Sequence, residues 1–268
     1  MSSRPPTRLH VTAVLLALTA ALFARALLQI KLREAGTDPQ FAADLSYLVV
    51  PPILALLLFP VLTANKEAIR EQFKLSRLKP RLILGAIAIG VLLRVGWWSH
   101  LVAFVSLGIY RNGDPNAVIG PALSFQCPPV YVLVTGLIVM AVLVPTIEEL
   151  INRGIVQSAL YQYGPGLAVG GSAVVFTVFH PFDSWAFVFL AGLVFGTQFW
   201  ITRSLWSSLL THATFNGLIQ LDWRCLHGQW NPPTSDIPLV LPASIALALL
   251  FTCVASIAFL LLRMHRGE

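Results

Sequence analysis

Electric charge is the scarcest property of this 268-residue sequence. Only 11% of the residues are Asp, Glu, Lys or Arg, against roughly 25% in an ordinary soluble domain, while 56% are hydrophobic. So few charges cannot cover the surface of a water-soluble domain of this size. A disordered chain is excluded as well, because 16 Phe and 7 Trp supply more apolar surface than such a chain carries. The composition therefore predicts a multi-pass membrane protein.

Cysteine is also scarce, and its placement excludes two further classes. Cys127, Cys225 and Cys253 lie in different segments with no C-x-x-C spacing. They indicate neither a disulfide framework nor a cysteine zinc site. The first apolar segment, from Leu9 to about Ile30, is longer than the apolar region of a signal peptide, and we expect it to be a retained span.

Apolar stretches of membrane-spanning length recur along the chain. A membrane helix needs about 20 mostly apolar residues, and eight segments fit. They lie at approximately 9–30, 45–63, 82–109, 130–148, 166–182, 185–202, 204–222 and 238–262. With a cytoplasmic N-terminus, 110–129 lies outside and every basic cluster falls inside, as the positive-inside rule requires. The sequence predicts an all-α polytopic protein of the cell membrane, a bundle of about eight transmembrane helices with both termini cytoplasmic.

One segment carries much of the net charge of +6. Between Asn65 and Arg81 lie six basic residues and two acidic ones. This placement indicates a cytoplasmic loop, and no nucleic-acid partner is expected. Ile69 and Phe73 are one helical turn apart, which favours an amphipathic helix lying on anionic headgroups. A solvated basic loop is the alternative.

The segment 130–165 is too long for one ordinary span. A single helix would measure about 50 Å, against a hydrocarbon core of about 30 Å. Pro145 predicts a break or kink, with a separate, tilted or half-inserted helix at 147–162. Simple alternation then puts Glu148 and His180 at opposite membrane faces. A site shared by the two requires the 147–162 helix to dip back into the membrane, or the next span to be shifted.

Ionisable residues at membrane depth cost roughly 2.5–3.5 kcal/mol each on insertion scales, so each needs a reason. Arg25 lies toward the end of its span, and we expect it to extend to the headgroups. Arg94 and His100 lie within the third predicted span. For both we expect a structural contact with a neighbouring helix.

A pair of adjacent glutamates is followed by an arginine in V-P-T-I-E-E-L-I-N-R-G. Glu149 and Arg153 are four residues apart with the acid first, the favourable order for a helical ion pair. Glu148 then points about 100° away around the helix and remains available. A carboxylate held in this way can serve as a general base that activates water.

Two histidine motifs follow on later apolar helices. His180 lies one turn after Phe176, and His212 lies one turn before Asn216. An imidazole and a carboxamide on one helix face can polarise a carbonyl, donate to an oxyanion or bind a metal. A single intramembrane histidine more often forms an interhelical hydrogen bond, so the ordered conjunction of the three motifs carries the functional prediction.

The ordered motifs E-E-x-x-x-R, F-x-x-x-H and H-x-x-x-N resemble those of the CPBP family, the type II CAAX prenyl protease or ABI family of intramembrane proteases. The resemblance implies a helical bundle around a polar cavity. It implies that Glu148 activates water with help from His180, and that His212 and Asn216 polarise the scissile carbonyl. The supporting residues would be Glu149, Arg153 and Phe176.

The resemblance leaves the metal question open. Glu148, His180 and His212 have the ligand types of a catalytic zinc site, but no H-E-x-x-H motif is present. We predict no cofactor, with a divalent metal such as zinc as the alternative. Asn216 favours the metal-free mechanism, because a carboxamide suits an oxyanion donor better than a zinc ligand.

The function predicted is an intramembrane endopeptidase acting on a membrane-associated, C-terminally anchored or lipidated protein. The alternatives are a non-catalytic immunity or protein-sorting factor with the same fold, and a proton-coupled transporter. A transporter would carry broken helices in two repeated halves, and only Pro145 suggests a break. We divide the chain into N-terminal helices over 1–129, a protease core over 130–225 and a last helix with its tail over 226–268, all in one membrane domain.

Overall fold

The computed structural model describes residues 8–107, 128–221 and 242–266, and every element in these ranges is helical. The helices are α1 Arg8–Glu34, α2 Pro39–Leu57, α3 Phe59–Ala64, α4 Lys66–Gln72, α5 Pro80–Ser106, α6 Val130–Tyr163, α7 Pro165–Val178, α8 Trp185–Thr202, α9 Leu205–Gln220 and α10 Ala243–Arg266. The all-helical prediction is confirmed. Cys127, Cys225 and nearly all of the predicted external loop 110–129 lie outside the described residues.

Within the described ranges, six helices are long and apolar enough to cross a membrane, namely α1, α2, α5, α6, α8 and α10. The sequence predicted about eight such spans. The other two predicted spans, α7 and α9, are helical but have only 14 and 16 residues. Helix α7 stops short because His180 and Pro181 follow it, and a residue before proline is disfavoured in the helical conformation. Both short helices pack against α6 and α8.

The distribution of side chains is the reverse of that in a soluble protein. Leu16, Leu56 and Phe251 are between 68% and 76% exposed, whereas Gln157 and Gln198 are completely buried. An apolar exterior around a partly polar interior is what a bilayer requires, since lipid tails cannot satisfy hydrogen-bonding groups. The fold therefore supports a multi-pass membrane protein.

Several basic residues gather at one end of the bundle. Arg77 donates a hydrogen bond of 2.9 Å to the carbonyl oxygen of Arg203, in the turn between α8 and α9. At the same end, Met264 near the C-terminus lies against the start of α5, within 3.8 Å of the Cβ position built on Gly85. This clustering agrees with the predicted alternation of spans. The side of the membrane that this end faces stays a prediction.

The basic segment contains the helix α4, which covers part of the predicted amphipathic stretch. Phe73 follows α4 and packs edge-on against Trp206, with ring centroids 5.7 Å apart. The Trp206 indole also donates to the Phe73 carbonyl oxygen. Lys66 and Arg70 on the same helix are exposed. Part of the apolar face thus packs on protein, and contact of the exposed cations with headgroups stays a prediction.

Helix α6 runs unbroken for 34 residues, so the prediction of a separate helix at 147–162 is wrong. The helix instead widens into π-helical turns at Val139–Leu143 and Leu150–Gln157. Pro145 lies in the first turn of the α-helical stretch Val144–Glu149 between them. Pro145 cannot donate back to the preceding π turn, so the helix continues through it only if another group supplies that donor.

Helices α6 and α7 form an antiparallel hairpin around Gly164, which adopts a positive φ of 92°. Glu148 and His180 lie the same number of residues before and after this glycine. Both residues line the same cavity, so the hairpin brings them to one region of the bundle. The sequence analysis placed Glu148 and His180 at opposite membrane faces. The structure removes this conflict, because α6 is longer than the predicted span and Glu148 lies in its middle.

Candidate active site

The centre of the site is an ion pair on α6. The Glu149 carboxylate lies 3.3 Å from Nη1 of Arg153, and both side chains are at least 99% buried. Arg153 also donates through Nη2 to the carbonyl oxygen of Gly192 on α8, at 3.0 Å. The rings of Phe176 and Phe195 lie 4.8 and 5.3 Å from its guanidinium carbon. The pair predicted from the spacing is present, and it ties α6 to α8.

His212 on α9 stands between the two adjacent glutamates. Its Nδ1 lies 3.1 Å from Oε1 of Glu149, and its Nε2 lies 3.7 Å from Oε2 of Glu148. The imidazole stacks on Phe195 with centroids 4.7 Å apart and an interplanar angle of 18°. Phe176 meets the ring edge-on at 5.7 Å. The ring is therefore held by its contact with Glu149 at Nδ1 and by two aromatic neighbours.

Glu148 faces a different environment from its neighbour. Its side chain is 23% exposed and lines a cavity of about 170 Å³ between α1, α2, α6 and α7. At roughly 30 Å³ per molecule, this volume accommodates several waters. Asn152, one turn later, also lines the cavity and donates to the backbone carbonyl of Glu148 at 2.8 Å. A carboxylate thus meets space for water within the apolar bundle.

His180 lines the same cavity from the end of α7. Its Nδ1 lies 2.8 Å from the carbonyl oxygen of Phe176. Because a carbonyl oxygen only accepts, Nδ1 carries the proton, and the other ring nitrogen is the acceptor in the neutral imidazole. The Trp185 indole donates to the backbone carbonyl of His180 at 2.9 Å. The histidine is therefore held in one orientation beside Glu148's cavity.

Asn216 lies one turn after His212, but its amide has a partner on another helix. Its Nδ2 donates to the carbonyl oxygen of Met140 at 2.8 Å. Met140 belongs to the first π turn of α6, in which an N–H bonds to the carbonyl five residues earlier. The fifth residue after Met140 is Pro145, which has no N–H group. Asn216 thus supplies the donor that the proline lacks, and it is absent from the cavity wall among the described residues.

The described part of the chain contains no group of three or more His, Cys, Asp or Glu residues placed to hold a metal ion. The three alternative zinc ligands therefore do not converge as a metal centre requires. Both nitrogens of His212 face carboxylates on α6, while His180 lies at the cavity wall. The metal-free mechanism and the zinc alternative both stay predictions.

Sequence reasoning missed three polar residues of the cavity wall, namely Arg25, Tyr47 and Asn152. Arg25, for which we expected an extension to the headgroups, lines the cavity and contacts Tyr47 of α2. Its guanidinium carbon lies 3.6 Å from the centroid of the Tyr47 ring. The i, i+4 spacing from Glu148 would have indicated Asn152, whereas no sequence signal indicates Tyr47.

The expected interhelical contact of Arg94 is present. Its Nε donates to the carbonyl oxygen of Leu218 on α9 at 3.3 Å. His100 contacts the rings of Trp97 and Phe104 on its own helix, with centroids 5.8 and 4.2 Å apart. Arg94 therefore links α5 to the helix that carries His212.

The comparison with known families matches about one third of the chain, in the segment that carries the motifs. Residues 130–218 match the family model described as type II CAAX prenyl endopeptidase Rce1-like. The matched segment contains all seven motif residues, from Glu148 to Asn216, and the match confirms the predicted resemblance to the CPBP family. The matched segment is thus similar to proteases of the CAAX-processing class. No curated protein and no solved structure gives a match.

Proposed function

We propose that the protein is an intramembrane endopeptidase that uses Glu148 to activate water. Its substrate is a membrane-associated protein, anchored or lipidated near its C-terminus. The observation that carries this proposal is the contrast within the glutamate pair. Glu149 is enclosed with Arg153, while Glu148 borders a cavity large enough for water and a reacting carbonyl.

In the proposed reaction, Glu148 accepts a proton from a water molecule in the cavity. The water oxygen attacks the carbonyl carbon of the scissile bond and forms a tetrahedral oxyanion. The C–N bond then breaks, and the proton passes from Glu148 to the leaving amine. A carboxylate fits this exchange because it serves first as a base and then as an acid.

His180 has a supporting role in water activation. Its Nδ1 proton is committed to the Phe176 carbonyl, so its other nitrogen can accept a hydrogen bond from the attacking water. A histidine locked in one tautomer orients water better than one that rotates. His180 and Glu148 line the same cavity.

His212 and Asn216 would polarise the scissile carbonyl, as the family resemblance implies. His212 reaches Glu148 through Nε2, while Glu149 and Phe195 fix the plane of its ring. Asn216 donates to Met140 and lies off the cavity wall, so its role as an oxyanion donor rests on the family resemblance alone. Donors fixed before the reaction stabilise developing charge without reorganisation.

The test is hydrolysis of a farnesylated, internally quenched peptide by the full-length protein in lipid nanodiscs. Replacing the general base by Glu148→Gln is expected to lower the rate by roughly 10²–10⁴-fold. The matched control is Glu67→Gln, which changes an exposed acid on α4 and should keep the parental rate. A Glu148→Gln variant with parental activity would refute the assignment.

Two further arms of this assay test the substrate and the metal. An unprenylated version of the peptide shows whether the lipid is required. Treatment with 1,10-phenanthroline is expected to leave the rate unchanged, because the proposed steps use only side chains and water. A rate that falls on treatment and returns with added zinc would contradict the metal-free mechanism.

A further inference from the structure

Arg25 is the cationic member of the cavity wall. It lies on α1, and its guanidinium is stacked on the ring of Tyr47 from α2. Its Nε is buried and has no hydrogen-bond partner. Because the guanidinium carbon lies over the ring face, this contact uses none of the N–H donors of the guanidinium.

The charge of Arg25 is not neutralised by a direct ion pair within the described ranges, since no carboxylate there lies within 4 Å of it. Glu148 and Asp44 interact electrostatically with Arg25 only at longer range. Asp44 instead accepts a hydrogen bond from Gln40 at 3.2 Å. A cation at membrane depth is costly and is ordinarily paired with an anion. The ligand that enters the cavity can supply that anion.

We propose that Arg25 binds a carboxylate group of the substrate. This inference rests on the proposed function, because it assumes that a peptide occupies the cavity beside Glu148. A planar guanidinium with a free edge matches a carboxylate through two parallel hydrogen bonds. The carboxylate belongs either to the C-terminus of the substrate or to an acidic side chain near the cleaved bond.

This role gives Arg25 a second effect on recognition. A substrate carboxylate in the same cavity as Glu148 would be repelled by it, since the apolar surroundings strengthen interactions between like charges. Arg25 offsets this repulsion on the wall that carries Tyr47. Substrates with the anion at the right distance from the cleaved bond would be selected over neutral ones.

The proposal is tested by peptide binding rather than cleavage. The Glu148→Gln protein in nanodiscs is titrated with the fluorescently labelled peptide Ala-Val-Ile-Leu, as its C-terminal acid and as its amide. A third probe, Ala-Val-Asp-Leu amide, carries the carboxylate on a side chain. Fluorescence anisotropy reports affinity. Because this variant is not required to cleave, a failure of the proposed hydrolysis leaves the result unaffected.

We expect at least one carboxylate probe to bind about tenfold more tightly than the neutral amide, as for a hydrogen bond to a charged group. The probe that does so identifies the source of the carboxylate. Adding Arg25→Met should remove the preference, while Arg33→Met, a change at an exposed arginine on the same helix, should keep it. Equal binding of all three probes, no binding at millimolar peptide, or a preference that survives Arg25→Met would each overturn the proposal.

Two milder variants decide the matter if Arg25→Met fails to fold. Arg25→Lys keeps the charge but loses the planar fork, and Tyr47→Leu removes the surface on which the guanidinium is stacked. Each should reduce the preference for the carboxylate several-fold while the protein still melts cooperatively. An unchanged preference in both variants would overturn the role of the stacked guanidinium.

Discussion

The two sides of helix α6 give the adjacent carboxylates of Glu148 and Glu149 different environments. On the side of α8 and α9, Glu149 meets Arg153 and His212 in a dry, aromatic enclosure. On the side of α1 and α2, Glu148 meets a cavity. We call these the enclosed side and the cavity side. Adjacent residues of identical chemistry thus acquire different uses, because a helix turns about 100° from one to the next.

The largest effect on stability is expected for a substitution on the enclosed side. Glu149→Gln leaves Arg153 buried without its counter-ion, which should cost about 3–5 kcal/mol of stability. Glu148→Gln changes the cavity side and should alter stability little while removing activity. Denaturant titration of both variants in the same detergent measures the difference. Equal losses of stability would show that the two sides are not energetically distinct.

A second comparison concerns the packing that supports His212. A Cβ on Gly90 of α5 would lie 2.7 Å from the backbone oxygen of Thr211 on α9. Gly90→Ala should therefore cost about 1–3 kcal/mol, as for overpacked sites. Gly170→Ala on α7, where a Cβ meets nothing within 4 Å, should instead stabilise by about 0.5–1 kcal/mol. Thermal melting of both variants tests the ranking, and a neutral Gly90→Ala would contradict the close approach.

A third comparison tests the structural role of Asn216, which is to replace the donor that Pro145 lacks. Asn216→Ala should cost about 1 kcal/mol in the parental protein by leaving the Met140 carbonyl without a donor. In a Pro145→Ala background the restored N–H group can replace that donor, so the same substitution should cost less. A double-mutant cycle measures the coupling. Additive losses would mean that Asn216 and Pro145 are independent.

The smallest effect on stability is expected at Glu71, which lies outside both sides of α6. Hydrogen bonds from Lys74 and Arg77 lower the pKa of the exposed Glu71 below its ordinary value near 4.5. The contribution of Glu71 is therefore present above that ordinary value and is lost as pH falls through the lowered pKa. Glu71→Gln should reduce the melting temperature slightly at neutral pH, with a smaller difference in acid. A difference that grows in acid would contradict this sign.

The enclosed side was largely predictable from the sequence. The spacing of Glu149 and Arg153 specifies the ion pair, since residues four apart meet on a helix. His212 could be assigned to the same site through its motif. The cavity side was less predictable, because Arg25 and Tyr47 meet only through the packing of α1 on α2. No local periodicity encodes such a contact between helices.

The course of α6 was predicted wrongly for a physical reason. Pro145 was expected to break the helix, because proline removes a donor. The chain compensates with a π turn before it and with the amide of Asn216 from another helix. Neither compensation leaves a recognisable sequence pattern. Because α6 extends to Tyr163, Glu148 lies in the middle of the helix and not at its end, as the predicted span 130–148 implied.

The hairpin around Gly164 also makes the site independent of its surroundings in one respect. Glu148 and His180 are aligned with each other by counting residues from a shared turn, not by reference to the lipid. In a thicker or thinner bilayer the protein can tilt, or the lipid can deform around it, without a change in the position of Glu148 relative to His180. One residue inserted into a single arm would offset the two by about 1.5 Å along the axis and rotate the side chain by about 100°, which no choice of lipid could correct.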